Sequence, residues 1–353
     1  MKNKIIFADQ LRVVAFLCVV TVHWMATYFV MPQLVSDLTR SPLYSAVDPG
    51  LYLKLFPPFL PYFNFGPFGV AIFFIISGFV IPFSCRAKSA KGFLAARLLR
   101  IYPVYILCAI ITILTVLLTS RYYWGIDAHY SIKEIVSNLT LTHTLLLTGS
   151  IDVVNWTLAI EVKFYIVCLL LRQLIIKNKY YPFIIISLIT IAINRFNLQS
   201  AGQLPKEMVF ISFMFIGVLF NYLYTGAISL HKFISLAVLQ FYLFYAGMRY
   251  SELAHQYETE VMSAAYAMLM FSFCYVFRDS FRDNVILRYL SGISFPFYAL
   301  HCVIGFSLLR ILSNEGISYK YSFVISFIAI TALASLVHFS VEKSSIRLGK
   351  RIK

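Results

Sequence analysis

Charge is scarce in this chain. Asp, Glu, Lys and Arg together make up 13% of its 353 residues, and hydrophobic residues make up 60%. Soluble domains carry roughly twice that share of charge, so a water-soluble protein is excluded. Six cysteines occur with no C-x-x-C pair, and neither a disulfide framework nor a thiolate metal site is expected. No histidine pair has metal-ligand spacing near a carboxylate, so no metal is expected. There is no G-x-x-x-x-G-K-[ST] loop, so the chain does not itself hydrolyse nucleotides. No internal repeat or low-complexity tract is visible, which argues against the repeat-built transporters. No small-residue cleavage site follows the first apolar run, so that run reads as a retained anchor.

What is present is apolar sequence in long blocks, with a mean hydropathy of +0.79. Ten stretches are long enough, or nearly so, to cross a bilayer. They lie near 8–30, 65–84, 101–119, 154–172, 181–195, 208–224, 233–248, 261–277, 290–312 and 321–341. The expected architecture is an all-α polytopic membrane protein of about ten transmembrane helices, one integral membrane domain over 1–353. The long connections, 31–64 and 120–153, read as loops or short interfacial helices. One contains the irregular Pro57–Pro61 stretch, and the other opens with Ser-Ile-Lys-Glu, a capping box at Ser131.

The net charge is +15, and its placement sets an orientation. Lys2, Lys4, the runs 86–100, 172–179 and 278–288, Lys232 and the tail from Lys343 hold most of the cations. Placing those segments inside gives cytoplasmic N- and C-termini by the positive-inside rule. The basic balance then reflects topology and membrane lipid contact, and no nucleic-acid partner is expected.

Several polar residues fall where polarity is costly. Arg12 and His23 occupy one apolar run. Their spacing returns to nearly the same helix face, with His23 roughly 16 Å further along the axis. Ionisable groups at that depth mark functional sites by default. A neutral imidazole is a good general base near pH 7; the plainer reading is a core histidine bonded to a carbonyl. Glu161 lies some way into the fourth stretch, at a depth matching His23. It is expected either to orient the imidazole or to form an ion pair with Lys163 or with another helix. Arg97 and Arg100, three residues apart, share a face and suit bidentate phosphate contacts, or else lipid headgroups. His301, deep in the ninth stretch, is a second catalytic group or a structural hydrogen-bonder. Ser77-Gly78-Phe79 reads as close helix packing. Gly66 and Gly69 permit close approach of another helix or a substrate. His129, His143, His231, His255 and His338 carry no expectation.

Taken together, these residues resemble the acyltransferase-3 family of membrane acyltransferases that modify bacterial surface polysaccharides. The resemblance rests on Asp9-Gln10-Leu11-Arg12 with His23, on Gly69 to Phe79, and on Arg97 and Arg100 before Pro103. It rests further on Trp156-Thr157-Leu158 with Glu161, Phe164 and Tyr165, and on Ser294 to His301. The chain departs from the family at Gln10 and Val13, where glycine is common, and after Glu342, where proline is missing. It resembles the stand-alone type that has no extracytoplasmic esterase-like domain.

The resemblance implies an inner-membrane O-acetyltransferase moving acetyl from cytosolic acetyl-CoA to a sugar hydroxyl of O-antigen or a similar polysaccharide or lipid-linked glycan. It implies His23 and Glu161 as catalytic residues and Arg12, Arg97 and Arg100 as donor-binding residues. Trp156, Ser77, Tyr298 and His301 would face substrate. A transporter or flippase of a glycan or its lipid carrier is the alternative, and a receptor or scaffold a third reading.

Overall fold

The computed structural model describes residues 5–45, 47–57, 59–196 and 203–352. Lys2, Lys4 and Pro58 lie outside the described residues. Every regular element among those described is helical. We label the principal helices α1 (Ile6–Val30), α2 (Phe65–Ala87), α3 (Ala90–Tyr122), α4 (Asn155–Leu170), α5 (Tyr181–Arg195) and α6 (Leu204–Tyr224). They are followed by α7 (Leu230–Tyr250), α8 (Tyr257–Val276), α9 (Val285–Leu300), α10 (Val303–Asn314) and α11 (Tyr319–Arg351).

All ten expected stretches fall on helices. Six of these, α1, α2, α3, α6, α8 and α11, are long and apolar enough to span a membrane. A seventh is added if α9 and α10, bent by 73° at a short break, count as one. The other three differ for physical reasons. Helices α4 and α5 have 16 and 15 residues, about 24 Å of helix against a hydrocarbon core of about 30 Å. Helix α7 has 21 residues but carries His231, Lys232, Gln240 and Arg249, which lower its hydropathy.

Glycines set the tightest crossings. A Cβ on Gly78 would lie 2.0 Å from the Met214 carbonyl, and one on Gly217 would lie 2.2 Å from that of Ile75. Helices α2 and α6 therefore cross backbone to backbone, as small residues permit where lipid supplies no hydrophobic drive. Gly69 does the same for α1, 2.5 Å from the Ala15 carbonyl. This makes α6 the central helix, with nearly all of Val209–Tyr222 buried. The connection 31–64 folds into the helices Pro32–Thr39 and Leu51–Leu55. The connection 120–153 holds Ile132–Leu139, capped by the reciprocal Ser131–Glu134 box, and His143–Leu146.

Two five-residue π-helical turns interrupt the described helices. One is His23–Thr27 in α1 and the other His338–Glu342 in α11. Such turns concentrate at functional sites because the extra residue re-aims the side chains around it.

Candidate active site

A partly open cavity lies between α1, α2, α3, α4 and α9. Arg12, Ser77, Arg97, Arg100, Glu161, Tyr165, Ser294 and Tyr298 contribute to its wall, with Val70, Phe73 and Phe74 supplying apolar surface. Three guanidinium groups thus face one carboxylate, a balance suited to an anion. Arg12 is held by Asp9 one turn earlier, at 2.6 Å. Arg97 stacks against Tyr165 with its guanidinium 5.5 Å from the ring centre. Its Nε is buried with no hydrogen-bond partner among the described residues. A buried donor without an acceptor costs free energy, which an anionic ligand would recover.

Val80, Arg97 and Arg100 also line a second, more open space, next to Lys88 and Lys350. The two spaces share these three residues, so a basic opening adjoins the cavity. The run 86–100 divides accordingly. Arg86 is committed to Asn221 and Asn178, at 2.8 and 2.6 Å. Lys88 donates to the Gly349 and Ile352 carbonyls at the end of α11. Arg97 and Arg100 remain for the cavity.

The Glu161 carboxylate accepts hydrogen bonds from Ser77 Oγ at 2.9 Å and Tyr165 OH at 2.5 Å. It makes no described bond to His23. The expected local pair with Lys163 is absent as well: Lys163 pairs with the buried Glu207 at 2.8 Å and donates to Thr144. Trp156 does not itself line the cavity; it packs against Phe74, which does, and against Phe210, with ring centres 6.5 and 5.3 Å away.

His23 lies beyond the cavity and pairs with His301. Its Nδ1 is 2.9 Å from His301 Nε2, and the rings are nearly parallel with centres 5.1 Å apart. His301 is the C-cap of α9, the first residue of the α9–α10 break, and is fully buried. Its Nδ1 lies 2.7 Å from the Tyr298 carbonyl, and its own carbonyl accepts the Trp24 indole N–H at 2.9 Å.

These contacts decide the tautomers. A carbonyl oxygen only accepts, so His301 Nδ1 carries the proton facing Tyr298. In the neutral ring, His301 Nε2 is then an acceptor, and His23 Nδ1 must donate to it. The lone pair of His23 is left on Nε2. His23 as a residue is half-buried, whereas His301 is enclosed. The pair has the logic of a base held by an orienting group, with an imidazole where a carboxylate is more usual.

The cavity ends one residue short of this pair. Tyr298 lines it, shares a hydrogen bond of 2.7 Å with Thr157 Oγ1, and sits against Phe73 at 5.5 Å and His301 at 5.6 Å between ring centres. Of the residues expected at the site, Arg12, Ser77, Arg97, Arg100, Glu161 and Tyr298 share the cavity, and His23 and His301 share the pair behind it. Sequence reading passed over two others. His338 Nδ1 lies 2.6 Å from Glu342 Oε2, a contact that the i, i+4 spacing allows. Asp152 is buried beside the helix break.

Among the described residues, no cluster of His, Cys, Asp and Glu has the arrangement of a metal site. No curated protein and no solved structure gives a significant match to the chain. A family model described as an acyltransferase domain matches residues 5–340, nearly the whole chain. The chain belongs to the acyltransferase-3 family and is a multi-helix membrane acyltransferase.

Proposed function

We propose that this acyltransferase moves an acetyl group from acetyl-CoA to a sugar hydroxyl of a surface glycan such as O-antigen, with His23 Nε2 as the general base. The observation that carries the reading is the chain of contacts from the Tyr298 carbonyl through His301 to His23, which leaves the Nε2 lone pair free. In this reading the N-terminus is cytoplasmic and the protein sits in the bacterial inner membrane. The donor's phosphates then rest on Arg97 and Arg100, with Arg12 deeper, and the pantetheine arm follows the cavity inward. The apolar wall of Val70, Phe73 and Phe74 suits that uncharged arm. Tyr298 leaves Thr157 to let the thioester reach the histidine pair.

His23 Nε2 takes the proton of the sugar hydroxyl as its oxygen attacks the thioester carbon. The carbon–sulfur bond breaks, and the departing thiolate recovers the proton from His23. His301 keeps the ring aligned and accepts from Nδ1–H throughout. Ser77 and Glu161 hold one wall of the channel, and Trp156 flanks the acceptor's side.

The test uses cells that carry the acceptor glycan. His23→Ala is expected to abolish the glycan acetyl ester, and Arg12→Ala to reduce it. Wild-type ester levels in the histidine variant overturn the assignment. Purified protein should release free CoA only when acceptor is present; acceptor movement without CoA release would favour a transporter instead.

A further inference from the structure

We infer that Asp152 is a positioning residue for the His23–His301 pair, acting through the break between α9 and α10. The inference rests on the reading of that pair as the reactive centre, but its test does not need turnover. A helix break leaves the last carbonyls of one segment and the first N–H groups of the next without partners. At depth there is little water to supply them. The break here is His301 and Cys302, and Cys302 is the N-cap of α10, with no side-chain oxygen to offer.

The partners come from elsewhere in the chain. On one side Trp24 donates to the His301 carbonyl at 2.9 Å. On the other, Asp152 Oδ2 accepts the Val303 N–H at 3.4 Å, while its Oδ1 accepts the Val154 N–H at 3.1 Å. The Cys302 thiol also faces this carboxyl. His301 is thus gripped at its carbonyl and at the two residues that follow it.

Asp152 is itself held firmly. Asn138 receives the Ile151 N–H at 3.0 Å and the Asn155 amide at 3.2 Å, and donates to the Gly149 carbonyl at 2.9 Å. The loop before α4 is therefore set before it meets the break. Burial pushes the Asp152 carboxyl up to about 7, against the hydrogen bonds from Val154 and Val303 that favour its charged form.

The experiment follows the reactivity of His23 in the purified full chain. Diethyl pyrocarbonate modifies the free imidazole nitrogen, and peptide mass spectrometry reads the rate at His23. His301→Ala should slow modification by about five-fold, the scale of one lost hydrogen bond. Asp152→Ala should slow it to a similar degree. Asp152→Asn keeps one carbonyl oxygen for two N–H groups and should fall between Asp152→Ala and wild type. In turnover, the same variants should lower kcat and leave the donor KM unchanged.

Wild-type His23 reactivity in Asp152→Asn and Asp152→Ala, with His301→Ala slowed, overturns the positioning role. Wild-type reactivity in His301→Ala removes the pair on which it rests. If Asp152→Ala does not fold, Asp152→Asn decides alone.

Discussion

Trp24 and His301 are joined by an indole N–H to carbonyl hydrogen bond of 2.9 Å, across 277 residues of sequence. The residue next to His23 thereby grips the backbone of His23's own ring partner. The π-helical turn that begins at His23 places both contacts on one side of α1, so imidazole and indole address the same break. Gly305 completes the fit, since a Cβ there would lie 2.5 Å from the Trp24 ring.

The histidine pair makes the first prediction. His301→Gln retains an acceptor for His23 Nδ1–H, whereas His301→Ala removes it. Acyl transfer by the alanine variant should fall by about 10²-fold or more, with the glutamine variant retaining the larger share. Donor affinity should be unchanged in both. Equal rates for wild type and His301→Ala in a purified assay would dispose of the pair.

Donor binding provides a second. Arg97→Ala with Arg100→Ala should weaken acetyl-CoA binding by at least about ten-fold, as expected for two lost charge-assisted contacts. Arg86→Ala should instead lower stability, because Arg86 is bonded to Asn221 and Asn178. Isothermal titration with CoA alongside thermal melts separates these effects; a double variant with unaltered CoA affinity contradicts the assignment.

The α2–α6 crossing offers a test of the fold. Gly78→Val places a branched side chain where even a Cβ lies 2.0 Å from the Met214 carbonyl. The helices must separate, and a loss above about 3 kcal/mol is expected. Little folded protein should be recovered in detergent. Gly226→Ala, with open space around it, is strained only by its positive φ and should cost about 1 kcal/mol.

A pH effect follows from His143. Burial beside Lys163 lowers its pKa from 6.5 to about 4. The folded chain therefore binds the proton less readily than the unfolded chain. Stability contributed by this residue is complete above pH 6.5 and is lost as pH falls toward 4. His143→Gln, which cannot protonate, should flatten that limb in thermal melts taken between pH 4 and 7. A melt profile identical to wild type over that range would argue that His143 titrates normally.

The sequence by itself determined that the chain is helical, membrane-spanning and an acyltransferase. Apolar run length decides the first two, because lipid leaves the backbone no partners but its own. The spacing of Arg12, His23, Arg97, Arg100 and Glu161 marked the residues of interest, since charge in an apolar run is costly unless used. It also found the Ser131 cap and the close packing at Gly78, both of them local or compositional properties. It did not separate the spanning helices from α4, α5 and α7, whose length and polarity fall near the limit.

Only the tertiary structure decided who meets whom. Matching depths suggested Glu161 for His23, but depth along two helices says nothing of the rotation about their axes. The packing of α2 against α4 turns Glu161 to Ser77 and Tyr165. The break at His301 brings a residue from the other end of the chain to His23 instead. Asp152 escaped notice for the same reason: a buried carboxylate in a loop has no sequence signal until its neighbours are in place. His338 carried the signal that marked His23, a histidine in an apolar run, and only its contact with Glu342 four residues on gave it a partner.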